Sequence, residues 1–177
     1  MTITPVDDKL DLFSVVGLYP EHILERLKQT DHLQSDWSRM DWQEDWNRRR
    51  VTPRPGSVYA EIDLFVKSKL PEIEEITQTS ILSCDTAFWL DLPGFTTNPH
   101  LDNDGVFIAM QVYLTEYPGI EMATEFYDSN NTIRFKPAYR INHGYFMINN
   151  PNQRHGMLTP VPDNTYRLSS YTWFYKK

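Results

Sequence analysis

Apolar positions change their period near residue 80, and the change divides the chain into two kinds of structure. Before it, the N-terminal third reads helical. Ile23, Leu24 and Leu27 recur at helical spacing behind Pro20, which sits where a first turn begins. Tyr59 to Leu70 repeats the pattern with Ile62, Leu64, Phe65 and Val66 among charges, Pro71 interrupts it, and Glu72 to Thr79 forms a further short helix. From Ile81 onward the pattern is that of strands and turns. Between Val106 and Leu114 the even positions are apolar (Val106, Ile108, Met110, Val112, Leu114), and Phe107, Ala109, Gln111 and Tyr113 take the other face. Thr132 to Phe135, Tyr145 to Ile148, His155 to Leu158 and Tyr166 to Tyr175 read as strands, with turns at Asp128–Asn131 and Pro160–Asn164. Helices followed by about seven or eight short strands predict an α+β fold, with the N-terminal helices packed on one face of an antiparallel sandwich or jelly-roll-like barrel.

Composition narrows the function. A chain of 177 residues fits one domain, here a helical part over about 1–80 and a barrel over about 81–177. Aromatic residues make up 14%, which suits strands and apolar pockets. A net charge of −7 argues against a nucleic-acid partner. The local exception, Arg48-Arg49-Arg50 with Arg54, reads first as the cationic end of a helix and second as a basic rim facing substrate. The single Cys84 lies in an apolar stretch and is expected to pack. Neither a leader segment nor a membrane span is legible, so a cytoplasmic protein with no membrane partner is expected.

The chemistry-bearing residues cluster late. His100 and Asp102 stand just before the best strand, and residues two apart in an extended segment point to the same side. An imidazole and a carboxylate can thus reach one metal ion. His155, after the polar loop Asn149–Arg154, supplies a third ligand, and two imidazoles with one carboxylate form the facial triad of non-haem Fe(II) oxygenases. Arg167 and Ser169 follow across the Pro160–Asn164 turn and share a face. A guanidinium fork with a hydroxyl suits a carboxylate. The expected arrangement pairs the His155 and Arg167 strands, so that both side chains face one cavity. His143 with Arg154 forms an alternative set, ranked lower because His143 precedes Gly144 at a strand start and Arg154 sits in a turn. His22 and His32 read as surface groups.

The pattern His100-x-Asp102, His155, Arg167-x-Ser169 resembles the Fe(II)/2-oxoglutarate-dependent dioxygenase superfamily. Trp89-Leu-Asp-Leu-Pro-Gly-Phe95, Met110–Leu114, Thr124–Tyr127 and His155-Gly156 are similar to segments of its prolyl-hydroxylase-like members. The resemblance covers roughly Phe88 to Phe174 and departs at Ala123-Thr124, where many members have Gly-Thr. It implies a double-stranded β-helix and Fe(II) on His100, Asp102 and His155. It also implies 2-oxoglutarate chelating the iron with its far carboxylate on Arg167, and dioxygen as co-reactant. Tyr113 is a further hydrogen bond to that cosubstrate. The implied activity is hydroxylation of an unidentified small or peptidyl substrate. The competing readings are a cupin-like barrel that binds a metal or small acid without oxidising anything, and an interaction module in which the triad is incidental. The stretch Trp37 to Pro55, with Trp37, Trp42 and Trp46, reads as packing on the barrel or covering its mouth.

Overall fold

A computed structural model of the chain describes residues 1–7, 11–33, 38–39, 47–51 and 53–176. Its helices are α1 (Glu21–Lys28), α2 (Val58–Ser68) and α3 (Leu70–Thr77). Pro20 is the residue before α1, as the pattern predicts. Ser57 caps α2, its hydroxyl accepting from the Ala60 N–H. α2 stops at Ser68, so the interruption expected at Pro71 occurs. Pro71 itself occupies the first turn of α3, where a missing N–H costs nothing.

Two sheets, antiparallel throughout, make up most of the remainder. The larger runs β1 (Thr2–Asp7), β2 (Leu12–Val16), β10 (His143–Ile148), β7 (Ile108–Tyr113), β12 (Arg167–Lys176), β5 (Ile81–Asp91), β4 (Arg48–Val51) and β3 (Ser38–Arg39) in spatial order. The smaller runs β6 (Thr97–His100), β11 (Arg154–Met157), β8 (Glu125–Tyr127) and β9 (Ile133–Phe135).

Eight strands follow Ile81, as expected, but the N-terminal third is not all helix. β1 and β2 form a hairpin added to β10, and short runs such as Thr2–Asp7 carry too few apolar residues to reveal their period. The arginine run is likewise no helix end. Arg48 to Val51 is a strand paired with Asp91 to Phe88, so side chains alternate and Arg48 and Arg50 share a face. Trp37, Trp42 and Trp46 lie outside the described residues.

One face of the larger sheet carries the helices. Ile23, Leu27, Ile62, Val66 and Ile73 pack on Phe88, Leu90, Ile108, Met110, Val112, Phe146 and Phe174. The even positions of β7 are therefore the helix side. Cys84 belongs to this core, and burial pushes its thiol up to about 11, as an inert packed cysteine requires. The opposite face meets the smaller sheet through Ala109, Tyr145 and Met147 against Phe126, whose ring stands edge-on to Tyr145 at 4.8 Å. Both faces of β7 are buried, which is why its alternation is of size and polarity rather than of exposure. No described helix is long and apolar enough to cross a membrane.

Candidate metal centre and its cavity

The smaller sheet sets the metal end. His100 closes β6 and His155 lies on β11, and the two are direct cross-strand partners with ring centroids 4.6 Å apart. The strands can approach closely because residue 156 is glycine, where a Cβ would stand 2.7 Å from the Thr97 carbonyl oxygen. Asp102 follows two residues after His100, and its Oδ1 lies 3.7 Å from His155 Nε2. One ligand atom each from His100, Asp102 and His155 fall within 4.8 Å of one another.

Both imidazoles are oriented by one local device. His100 Nδ1 donates to the Asn98 carbonyl at 2.9 Å, and His155 Nδ1 to the Gln153 carbonyl at 3.1 Å. A carbonyl can only accept, so the proton sits on Nδ1 and Nε2 keeps its lone pair for a metal. The carboxylate is oriented too: the Tyr171 hydroxyl donates to Asp102 Oδ2 at 2.8 Å, leaving Oδ1 toward the histidines. Burial holds the His155 imidazole below the ordinary histidine range, and His100 adds to this while Asp102 opposes it. The residue is therefore neutral, as ligation needs.

The larger sheet sets the far end of the same cavity, whose volume is about 410 Å³. Across its inner face, β10, β7 and β12 place Tyr145, Gln111 and Tyr171 side by side as register partners, and all three line the cavity with Thr124 of the loop before β8. Arg167 also lines it and is 1% exposed. The expected pairing of the His155 and Arg167 strands does not occur. β11 pairs with β6 and β8, and β12 with β5 and β7, so the two residues come from opposite sheets. They still line one cavity, because the sheets face each other.

Arg167 arrives with a partner. Its Nε donates to Asp91 Oδ2 at 2.7 Å, its Nη2 lies 2.7 Å from the same oxygen, and its Nη1 donates to the Met122 carbonyl at 3.0 Å. Asp91 is fully buried and also receives Arg48 through Nε at 2.5 Å and Nη2 at 3.1 Å. Desolvation alone would raise the Asp91 carboxyl, but the Arg48 and Arg167 guanidiniums beside it hold it below the usual carboxylate range. Two guanidiniums around one carboxylate leave one net positive charge at this end. Nη1 and Nη2 of Arg167 each carry a second N–H beyond these bonds, enough for a two-pronged grip on a carboxylate. Arg48 lies over the Phe95 and Trp89 rings at 4.1 and 4.9 Å, and Arg50 lies 5.7 and 5.8 Å from Trp89 and Trp173. Both line the cavity, Arg49 and Arg54 do not, and the run is a strand rather than the end of a helix.

Ser169 and Tyr113 stand one layer behind the cavity surface. Ser169 Oγ accepts from Gln111 Nε2 at 2.9 Å, Gln111 Oε1 accepts from Thr124 Oγ1 at 2.7 Å, and Tyr113 Oη accepts from the Thr124 N–H at 2.8 Å. His143 is away from the cavity, its Nδ1 donating to Ile141 O, and Arg154, the first residue of β11, binds Asn131 and Pro99. His22 is exposed beside Glu61, as expected. His32 is not a surface group: it is 8% exposed and hydrogen-bonded to the Tyr59 hydroxyl at 2.8 Å. Asp91, Gln111, Thr124, Tyr145 and Tyr171 were not legible as site residues. The available signal was parity: Tyr171 shares a strand face with Arg167 and Ser169, and Gln111 shares one with Tyr113.

No protein-family model and no curated protein matches the sequence. Solved structures do. A prolyl-4-hydroxylase of Pseudomonas putida superposes with a TM-score of 0.71 at 14% identity, over 95% of this chain and 94% of that one. A viral collagen prolyl hydroxylase of Paramecium bursaria Chlorella virus-1, in complex with 2-oxoglutarate, gives 0.66 at 16% identity over 98% and 100%. HygX of Streptomyces hygroscopicus, with nickel and 2-oxoglutarate bound, gives 0.67 at 10% over 96% and 84%. The chain therefore has the fold of the prolyl-hydroxylase-like, 2-oxoglutarate-binding enzymes along nearly its whole length.

Proposed function

We propose that this chain is a single-domain Fe(II)- and 2-oxoglutarate-dependent dioxygenase, a hydroxylase built on a double-stranded β-helix. The observation that carries the reading is one cavity with a His100–Asp102–His155 donor set at one end and a net-positive, buried Arg48–Asp91–Arg167 group at the other. A dicarboxylate keto acid needs both ends, whereas a barrel that only holds a metal has no use for the second. The solved relatives of the same fold that hold 2-oxoglutarate support the assignment.

In this reading His100 and His155 offer Nε2 and Asp102 offers Oδ1 to Fe(II). The donor set fits: two imidazoles and one carboxylate, with a cavity beside them for further ligands. Bound iron, with 2-oxoglutarate and dioxygen, supplies the oxidising chemistry that yields succinate and carbon dioxide and hydroxylates a substrate. The protein contributes geometry and exclusion of water. Arg167 binds the far carboxylate, and Asp91 holds the guanidinium plane in place. Ser169 and Tyr113 act through Gln111 and Thr124, fixing which hydrogen-bonding group each shows to the ligand. Tyr171 keeps Asp102 turned toward the histidines. Trp89 and Trp173 with Arg50 form the wall on which the substrate, a small molecule or a peptidyl side chain, lies.

Equilibrium dialysis tests this. The account expects one divalent metal per chain, and 2-oxoglutarate retention that requires the metal. Metal uptake with no retention of 2-oxoglutarate would move a non-oxidative metal-binding barrel ahead.

A further inference from the structure

The Tyr145 hydroxyl is a buried donor that makes no well-formed hydrogen bond among the described residues. The residue is fully buried. Such a group costs the fold stability, because a buried hydroxyl loses water and regains nothing. The ring itself is well placed. It stands edge-on to Phe126 and lies 6.5 Å from the His155 ring. Next to it, residue 144 is glycine, where a Cβ would collide with the Gln111 carbonyl, so β10 lies tight against β7 and the Tyr145 ring is set beside Gln111.

The oxygen sits between the two ends of the cavity. The Thr124 and Tyr171 hydroxyls are its nearest polar neighbours, but neither meets it in the geometry of a hydrogen bond. Both neighbours spend their own protons elsewhere, Thr124 on Gln111 and Tyr171 on Asp102. Tyr113 was the expected tyrosine, but its oxygen already accepts from Thr124 and the residue does not line the cavity. Tyr145 does line it.

We propose that the Tyr145 hydroxyl is a binding residue for the 2-oxo dicarboxylate, donating to one of its carboxylate oxygens between the metal end and Arg167. This rests on the function proposed above. An anionic acceptor is the partner the geometry asks for, since it sees a buried donor on one side and a guanidinium on the other. The hydroxyl keeps its proton: burial pushes its ionisation far above the tyrosine range, so at neutral pH it acts only as a hydrogen-bonding group.

The test is calorimetric titration of 2-oxoglutarate into nickel(II)-loaded wild type and Tyr145→Phe. The substitution keeps the ring and its packing and removes the donor. The expected result is a dissociation constant raised about 10- to 100-fold, the range for one hydrogen bond to a charged group, with nickel affinity unchanged and ligand-free melting temperature equal or higher. Equal 2-oxoglutarate affinity in the two proteins would overturn the inference and leave the proposed function standing. A variant that melts lower and loses nickel would overturn it as well, since the hydroxyl would then serve the fold. If the wild type takes nickel but does not bind 2-oxoglutarate, the proposed function fails first and this inference falls with it.

Discussion

The two ends of the cavity are built by opposite strategies. At the candidate metal end the side chains are held by short-range bonds: each histidine donates to the carbonyl two residues before it, and Asp102 follows His100 by two. Among the described residues no lysine or arginine is paired with Asp102 there. At the far end the groups are remote in sequence and pair with one another, with one positive charge left over. Asp91 is 43 residues from Arg48 and 76 from Arg167, and all three are tied together at low exposure. A local arrangement suits an ion that arrives from solvent. A pre-paired one suits an anchor that must stay rigid whether or not its ligand is present.

The contrast gives a graded set of substitutions. The largest stability effect is expected at Asp91. Asp91→Asn leaves the buried Arg167 and the half-buried Arg48 without their counter-charge and should cost about 3–5 kcal/mol in urea unfolding. No metal-end substitution should approach this, and a loss below about 1 kcal/mol would mean that the trio is not electrostatically coupled. Next is Tyr171→Phe, which frees Asp102 Oδ2 and should weaken divalent-metal affinity about 10- to 100-fold with little change in stability. Unchanged affinity would show that the loop alone orients Asp102.

A smaller effect separates the ends by pH. Burial lowers the His155 imidazole in the folded chain, so below the ordinary value of about 6.5 the unfolded chain binds a proton that the fold resists. Its contribution to stability is therefore complete above that value and lost as pH falls through the folded one. Urea midpoints of the metal-free protein should drop between about pH 7 and about pH 5, and less steeply in His155→Gln. Identical slopes would remove His155 as the cause. The smallest effect is expected at Tyr145→Phe, which should stabilise the ligand-free chain by up to about 1 kcal/mol by deleting an unpaired buried hydroxyl.

The same contrast explains what could be read from the sequence. The triad was legible because His100 and Asp102 share a strand face, and His155 stands at the start of a short strand after a polar loop. Helices α1 and α2 were legible because each buries one face, and β7 because its two buried faces alternate in size and polarity. The far end was not, since nothing within a few residues of Asp91 announces two arginines. The Arg48–Val51 strand was misread for a related reason: a short run of like charges has no apolar period, and its extended form is imposed by pairing with β5. Pairing was also what the sequence left undetermined for His155 and Arg167. A turn between two strands, Pro160–Asn164, reads as a hairpin, yet here it carries the chain from one sheet to the other. His32 was misjudged because its burial comes from Tyr59, 27 residues on.

The most direct measurement is the visible absorption of the protein reconstituted anaerobically with Fe(II) and 2-oxoglutarate. The account predicts a weak metal-to-ligand charge-transfer band in the wild type. The band should be absent in His155→Ala, where the metal site is broken, and in Arg167→Ala it should appear only at far higher 2-oxoglutarate concentration. A wild type that binds Fe(II) but shows no band at any 2-oxoglutarate concentration would contradict the claim that the two ends of this cavity bind one ligand.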